Sequence, residues 1–308
     1  MNDLKKNRFA IVMTAQGMSV GANAFINGLD YYGNKVDFYL AGGPQEEALV
    51  KKAKEVPDLS VNLIFLSMTD LVKKWQPPKE KRGGWHVRFF RYRIAREYCQ
   101  DYDAVLIIDA DMLCVNNLMN YFEIAYGTGK IVLPTNTWGM PLEKTLQVGI
   151  ESLRGASSPP FHNMPLFLNV KKHSDFLDKV WEWGLKEDYG DMVTVSRTLI
   201  RENWLDRVFS LYNLRWVCSS WYHDYIKKVN WGDKHYLILG EEKMFTVHRR
   251  WWMSKVVEKF VNDIKEVDNL KRGRNNAKLF WDEYKFFNTQ WKVKLDWTEK
   301  EPQMKKEI

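Results

Sequence analysis

The segment Tyr102-Asp-Ala-Val-Leu-Ile-Ile-Asp-Ala-Asp-Met-Leu113 decides the fold that we expect for this chain. Its apolar run from Ala104 to Ile108 is short and β-branched, which is typical of a strand buried on both faces of a parallel sheet. Asp109 and Asp111 follow at the carboxyl end, which is the edge where ligands bind in open α/β sheets. Two carboxylates at this spacing share one side of an extended backbone, so they repel each other unless a cation separates them. The segment therefore predicts a Mg²⁺ or Mn²⁺ site with phosphate oxygens among the other ligands.

Three other interpretations of this carboxylate pair would predict a different structure or function. A calcium loop would need oxygen ligands, a Gly and a final Glu at set positions, and Leu113, Cys114 and Asn120 do not supply them. A phosphatase of the haloacid dehalogenase type also ends a strand in Asp-x-Asp, but normally near the N-terminus and with Thr or Val where this chain has Leu113. The third interpretation is a strand that runs out into a polar turn, although unpaired carboxylates rarely crowd a buried strand end. The phosphatase and the polar turn remain open alternatives.

The composition is that of a soluble globular protein. The chain has 308 residues, of which 45% are hydrophobic and 28% charged, so one large domain, or one domain with an appendage, is expected. The apolar runs are far shorter than the ~20 residues that span a bilayer, and we expect a cytoplasmic protein. Cys99, Cys114 and Cys218 lack metal-ligand spacing and are predicted to be reduced interior residues. The net charge of +7 favours anionic partners: nucleotide phosphates, an acidic membrane face or a nucleic acid.

Strands and helices are predicted to alternate along the chain, which indicates an α/β fold with a largely parallel, Rossmann-like sheet. The predicted strands are 8–17, 35–43, 61–66, 104–109, 130–139, 161–170, 236–240 and 244–250. The predicted helices are 21–32, 45–56, 85–98, 118–126, 175–185 and 197–211.

Two further features lie near the predicted sheet edge. Thr14 and Ala15 end the first strand without bulk, so a base or ribose could lie against the backbone there, although a plain turn is the alternative. Arg88 and Arg91 are three residues apart on one helix face, where two guanidinium groups repel each other without an anion. Their predicted partners are a diphosphate or the carboxylates themselves, and the alternative is a pair of solvated charges.

The order of these signals over residues 8 to 255 resembles a nucleotide-sugar-dependent glycosyltransferase of the A-type fold, nearest the glycogenin and bacterial galactosyltransferase-like group. In that group an Arg-bearing helix precedes a strand that ends in Asp-x-Asp. The resemblance implies a metal site at Asp109, Asp111 and His248. It also implies that donor-binding residues are Thr14, Ala15, Arg88, Arg91, Asp109, Asn163, Arg249 and Lys255. Met164 and Pro165 depart from the family pattern after Asn163.

The catalytic side chain is less well defined. Spacing from Asn163 points to Asp191, whereas the surrounding pattern of Leu, Asp and Val-Phe points to Glu202, Asn203 and Asp206. The resemblance implies hexosyl transfer, with retention favoured, from a nucleotide diphosphate sugar, and a uridine diphosphate sugar is adopted as the commonest donor. The acceptor is expected to be a hydroxyl of a glycan, a glycolipid or a modified nucleic acid. A non-catalytic binder of carbohydrate or nucleotide on the same scaffold is the second hypothesis, and the phosphatase is the third.

Residues 1–250 are predicted to form the nucleotide-sugar-binding domain and residues 251–308 a C-terminal appendage. The appendage is expected to contain a long amphipathic helix from Trp251, followed by an aromatic and lysine-rich segment from Leu279 to Trp297. That segment could dock on the core, make a peripheral contact with a membrane, or bind glycan or nucleic acid. Docking is favoured because four aromatic residues form one seam: Phe280, Tyr284, Phe287 and Trp291.

Overall fold

The computed structural model of the protein describes residues 7–78, 81, 84–135, 160–162, 164–187, 189–211, 226–239, 241–248, 279 and 282–295. The helices are α1 Ser19–Tyr31, α2 Pro44–Lys54, α3 Met68–Trp75, α4 Trp85–Tyr98, α5 Met119–Thr128, α6 Ser174–Lys186, α7 Asp191–Arg201 and α8, residues 282–289. The strands are β1 Phe9–Thr14, β2 Val36–Gly42, β3 Val61–Ser67, β4 Ala104–Asp109, β5 Met112–Cys114, β6 Ile131–Pro134, β7 Leu166–Leu168, β8 Val208–Leu211, β9 Ile226–Trp231, β10 Lys234–Leu239, β11 Glu242–Lys243 and β12 Thr246–His248.

A seven-stranded sheet forms the centre of the molecule, in the order β3-β2-β1-β4-β7-β6-β8. The pairs β3–β2, β2–β1, β1–β4 and β6–β8 are parallel, while β7 is antiparallel to both of its neighbours. Because β7 is antiparallel to both β4 and β6, the strands β6 and β8 run the same way as β4. The sequence prediction of an α/β fold with a largely parallel sheet is confirmed.

Both faces of this sheet are covered, as the apolar run of β4 predicted. Leu106 and Ile108 pack into the core on the side of α1, α2 and α5. Val105 and Ile107 pack into a second core on the side of α3, α4, α6 and α7. All four side chains are fully buried, so the strand must be apolar at every position until it reaches the sheet edge at Asp109.

A two-stranded pairing returns the late part of the chain to this edge. β5 runs from the carboxyl end of β4 down along α1, and β12 pairs with it in the antiparallel sense. The register places Thr246 opposite Cys114 and His248 opposite Met112, so the backbone of His248 lies across from the residue after Asp111.

The predicted helix at 197–211 is wrong over most of its length. The helix instead occupies Asp191–Arg201, and Asn203 then adopts a left-handed conformation with φ of 55°. After a short 3-10 turn at Leu205–Arg207, the chain continues as β8 beside β6. The segment Val208–Leu211 combines β-branched and aromatic residues, and parallel pairing with β6 outweighs the weak helical pattern of the sequence.

The described part of the C-terminal segment is docked on the core, which was the favoured expectation. Tyr284, Phe287 and Val293 belong to the same hydrophobic cluster as α1, and each is almost or fully buried. Two buried asparagines of α1 fix this segment. Asn27 donates to the carbonyl oxygens of Phe287 at 2.6 Å and Val293 at 2.8 Å, and Asn23 donates to the carbonyl of Val293 at 3.0 Å. The long helix predicted from Trp251 lies outside the described residues.

Two of the cysteines can be placed. Cys99 and Cys114 are buried, as predicted, and the Cys114 thiol donates to the carbonyl of Asn116 at 3.2 Å. Cys218 lies outside the described part of the chain. No helix within that described part is both long enough and apolar enough to cross a bilayer.

Candidate functional site

The carboxyl ends of β1 and β4 meet side by side. Thr14 is the register partner of Asp109, so the small-residue turn after β1 lies next to the carboxylate strand end. The Thr14 hydroxyl donates to the carbonyl of Val87, which ties the end of β1 to the first turn of α4. Thr14 and Asp109, which are both predicted to bind the donor, therefore lie at one sheet edge.

Arg91 connects two of the predicted site residues. Its guanidinium donates through Nη1 to Oδ1 of Asp109 and through Nη2 to Oδ2 of Asp191. The Arg91 side chain is only 3% exposed, whereas Asp109 is 27% and Asp191 is 12% exposed. α4 supplies the arginine, β4 one carboxylate and the first residue of α7 the other, so three elements converge here.

This acid–base–acid arrangement is electrostatically consistent. Burial works against the charge of Arg91, but the neighbouring carboxylate of Asp191 raises the pKa of the guanidinium above its ordinary value. A buried guanidinium is tolerable only when carboxylates face it, and two close carboxylates are tolerable only when a cation lies between them. Of the two partners predicted for Arg91, the structure shows the carboxylates.

Arg88 has a different environment, although it shares the helix with Arg91. It is exposed, and its Nη1 lies 3.9 Å from the position that a Cβ on Gly190 would take. Arg88 therefore stands at the mouth of the site, beside the start of α7. A guanidinium in this position is suited to an anion that approaches from solvent.

The predicted metal ligands are brought close in the backbone. Asp111 lies in the turn between β4 and β5, and the β5–β12 register places His248 one residue away from it across the pairing. The side chain of His248 lies outside the described part of the structure. Among the described residues, no group of three or more His, Cys, Asp or Glu side chains is arranged to hold a metal ion.

The three candidate catalytic residues do not lie together in the structure. Asp191 begins α7 beside Arg91, while Glu202 follows the end of this 11-residue helix, roughly 16 Å along its axis. Asp206 precedes β8, whose first residue pairs with the first residue of β6, so it lies at the amino edge of the sheet. The geometry therefore brings Asp191, and not Glu202 or Asp206, to Asp109. Asn163, Arg249 and Lys255 lie outside the described residues.

The sequence did not predict two polar features at the same edge, the Gln16–His86 contact and the buried Glu46. The Gln16 amide oxygen lies 2.8 Å from Nε2 of His86, which joins the turn after β1 to α4. Glu46, on α2, is fully buried and accepts hydrogen bonds from backbone N–H groups of two loops. The second could have been found, because Gly43-Pro44-Gln45-Glu46 has the spacing of a helix-capping box with Pro at the first helical position.

Comparison with solved structures identifies the fold. The bifunctional glycosyltransferase WbbM, in its apo structure, superposes with a TM-score of 0.51 at 15% sequence identity, over 89% of this chain and 52% of that chain. Mouse xyloside xylosyltransferase 1, in its apo form, superposes with a TM-score of 0.50 at 14% identity, over 79% of this chain and 96% of that chain. The protein thus spans about half the length of the WbbM structure. No family model and no curated protein matches the sequence.

The class that follows from the topology and these similarities is the A-type glycosyltransferase fold. The sequence expectation of this fold is confirmed.

Proposed function

We propose that this protein is a metal-dependent glycosyltransferase that moves a sugar from a nucleotide diphosphate donor to an acceptor hydroxyl. The observation that carries the proposal is the Arg91 bridge between Asp109 and Asp191 at the carboxyl edge of an A-type sheet. This edge is where ligands of open α/β sheets bind. It also collects the turn after β1 and the exposed Arg88, which would serve a nucleoside and a phosphate respectively.

The side chains proposed as metal ligands suit a hard divalent cation. Asp109, Asp111 and His248 would hold Mn²⁺ or Mg²⁺, with diphosphate oxygens completing its shell. Support comes from the β5–β12 register and from the exposure of Asp109, which leaves part of that carboxylate facing solvent although one oxygen binds Arg91. When bound, the cation supplies positive charge to the diphosphate that leaves the sugar.

The other residues have separable roles in this proposal. Arg88 would bind the phosphate oxygens on which negative charge develops. The Thr14 and Ala15 side chains are buried, so the turn that they begin would lie against the nucleoside. Arg91 would hold Asp191 in place, so that its carboxylate stabilises positive charge developing on the sugar. Because one oxygen of Asp191 already accepts a hydrogen bond from Arg91, this role suits it better than deprotonation of the acceptor. This role of Asp191 supports retention. For the other predicted site residues the proposal adds nothing to the sequence-based prediction: Asn163, Glu202, Asp206, Arg249 and Lys255.

The finer identity of the substrates is also proposed. A uridine diphosphate hexose is our first choice of donor, and a glycan or glycolipid hydroxyl is the first choice of acceptor, with a modified nucleic acid as the alternative. A peripheral contact with an acidic membrane is compatible with the net charge of +7. Incubation with a panel of nucleotide sugars and acceptors, followed by mass spectrometry, identifies both substrates, and the anomeric configuration of the product distinguishes retention from inversion.

Calorimetry with uridine diphosphate tests the site itself. We expect weak or no binding in the presence of chelator and tight binding with Mn²⁺, because carboxylates and diphosphate each need the cation. Asp111→Asn keeps the shape but removes one charge, so it should lose the metal-linked binding without losing thermal stability. Asp70→Asn, at an exposed position of α3, is the matched control and should bind like the unmodified protein.

Two results would contradict the proposal. Equal binding of uridine, guanosine, cytidine and thymidine diphosphates with and without metal would contradict the proposed metal site. The absence of binding by any of them would remove the donor site altogether. Metal-linked binding without transfer to any acceptor would instead favour the non-catalytic binder on the same scaffold.

A further inference from the structure

Glu46 is a fully buried carboxylate whose two oxygens bind two different loops. Oε2 accepts a hydrogen bond from the backbone N–H of Gly43 at 2.8 Å, on the loop that follows β2. Oε1 accepts one from the backbone N–H of Met18 at 3.0 Å, on the loop that follows β1. Since β1 and β2 are parallel neighbours, a single side chain joins two adjacent loops at the carboxyl edge of the sheet.

The surroundings of Glu46 leave it little freedom. A Cβ on Gly42 would come within 2.5 Å of Glu46 Cγ, so the carboxylate occupies the space that the absence of a side chain provides. The loop after β1 is further constrained by Gly17, whose φ of +72° is left-handed, and by a 2.9 Å bond from the Ala15 N–H to the Ala41 carbonyl. The shape of residues 15–18 therefore depends on contacts with the neighbouring loop.

The charge of Glu46 is stabilised by peptide groups. Burial is the larger effect and raises the pKa of this carboxyl above its ordinary value, while hydrogen bonds from backbone N–H groups, with that of Gly43 first, oppose the rise. Glu46 also lies in the first turn of α2, where the unpaired N–H groups and the helix dipole favour a negative charge. A neutral side chain of the same shape, such as glutamine, would keep at most one of the two hydrogen bonds from Met18 and Gly43.

We propose that Glu46 is a positioning residue that fixes residues 15–18 in the conformation that receives the nucleoside of a nucleoside diphosphate. The side chain is buried, so it acts through the loop and makes no contact with the ligand. The loop begins one residue after Thr14, the register partner of Asp109, and therefore borders the site directly. This inference rests on the proposed function, because that function places a nucleotide at this edge.

The test compares Glu46→Gln with Glu47→Gln, in the full-length protein. Glu47 is the next residue of α2, but it points outward and pairs with Lys51 at 2.8 Å. Glutamine at position 46 can accept through only one atom, so the bond to Met18 or to Gly43 is lost and the loop loosens. We expect the dissociation constant of uridine diphosphate with Mn²⁺ to rise roughly tenfold in Glu46→Gln and to stay unchanged in Glu47→Gln.

A readout other than stability separates positioning from packing. In donor hydrolysis we expect Glu46→Gln to raise KM with kcat nearly unchanged, because the loop binds the nucleoside and takes no part in bond breaking. A lower urea midpoint with unchanged affinity and KM in the folded protein would show a purely structural role and overturn the inference. If the unmodified protein binds no nucleoside diphosphate, the proposed function fails instead, so the two failures are distinguishable.

Two measurements keep the inference testable if Glu46→Gln does not fold. Glu46→Asp, shorter by one methylene, retains the charge and can still cap α2, but it should not reach Met18; affinity equal to that of the unmodified protein would overturn the inference. In the unmodified protein, uridine diphosphate with Mn²⁺ should slow amide hydrogen exchange at residues 15–18. Unchanged exchange there would show that this loop does not receive the nucleoside.

Discussion

At the scale of single residues, Arg91 offsets part of the negative charge of Asp109 and Asp191. It lies between Asp109 and Asp191 and is almost completely buried, so it acts as a built-in cation at the strand end. Arg91 donates to Oδ1 of Asp109 and to Oδ2 of Asp191, and a divalent cation bound nearby would add to this positive charge. The state of the site without metal is therefore already partly neutralised.

Replacement of Arg91 by Met should be costly. It removes the cation that lies between two carboxylates, and removal of one member of a buried ion pair typically costs about 3–5 kcal/mol. We expect urea unfolding of Arg91→Met to show a loss of this order. Adding Asp191→Asn to the same protein should recover part of the stability, because one of the stranded charges is gone. A double variant no more stable than Arg91→Met would mean that packing, and not charge, explains the loss.

At the scale of elements, one histidine joins the end of α5 to the start of α6. His173 Nε2 donates to the carbonyl of Gly129 at 2.8 Å, and its Nδ1 lies 2.8 Å from the Nη2 donor of Arg207. Since a guanidinium only donates, Nδ1 must accept, and the ring is neutral. Burial is the main cause that lowers the pKa of His173.

This junction predicts a pH dependence of stability. The unfolded chain takes up a proton at His173 below about pH 6.5, whereas the folded protein resists it, so the stabilisation is complete above that pH and declines as the pH falls. The decline is limited to one proton, about 1.4 kcal/mol per pH unit. Urea unfolding between pH 7 and 5 should therefore show a steeper loss in the unmodified protein than in His173→Gln. Parallel curves for the two proteins would contradict the assignment.

At the scale of the whole molecule, the C-terminal segment completes the core around α1. Asn27 donates two hydrogen bonds to it and accepts a third from the N–H of Val293 at 3.1 Å. Trp291 donates to Asp30 at 2.9 Å, one helical turn further along α1. The aromatic and lysine-rich composition of this segment is thus used, over residues 282–295, for packing within the molecule.

The Asn27 contacts predict a large effect from a small substitution. Asn27→Ala removes the Asn27 bonds to the Phe287 carbonyl and the Val293 N–H, while the Val293 carbonyl keeps its bond from Asn23, and we expect a loss of about 2–4 kcal/mol in the free energy of unfolding. Gln100→Ala provides the control, because this exposed amide makes one hydrogen bond to Arg96 and should cost under about 0.5 kcal/mol. Similar denaturation midpoints for both variants would show that the docked segment adds little stability.

The sequence was sufficient for the features that depend on local pattern. The apolar strand ending at Asp109, the alternation of strands and helices, and the Arg-bearing helix before that strand all follow from spacing along the chain. Contacts between distant residues did not follow: Arg91 and Asp191 are 100 positions apart, and no local signal links them. Residues 197–211 were mispredicted because pairing with β6, a tertiary interaction, decided the conformation of Val208–Leu211.

The hydrogen bonds between α1 and the segment near Val293 have a consequence for biosynthesis. Asn27 and Val293 are 266 positions apart, so the buried polar groups of the second structural element find their partners only after residue 293 has left the ribosome. At translation rates of ~5–20 residues per second, that face of α1 remains exposed for on the order of 10–50 s. Nascent chains of this protein are therefore expected to be substrates for ribosome-associated chaperones, which would shield α1 until its partner emerges.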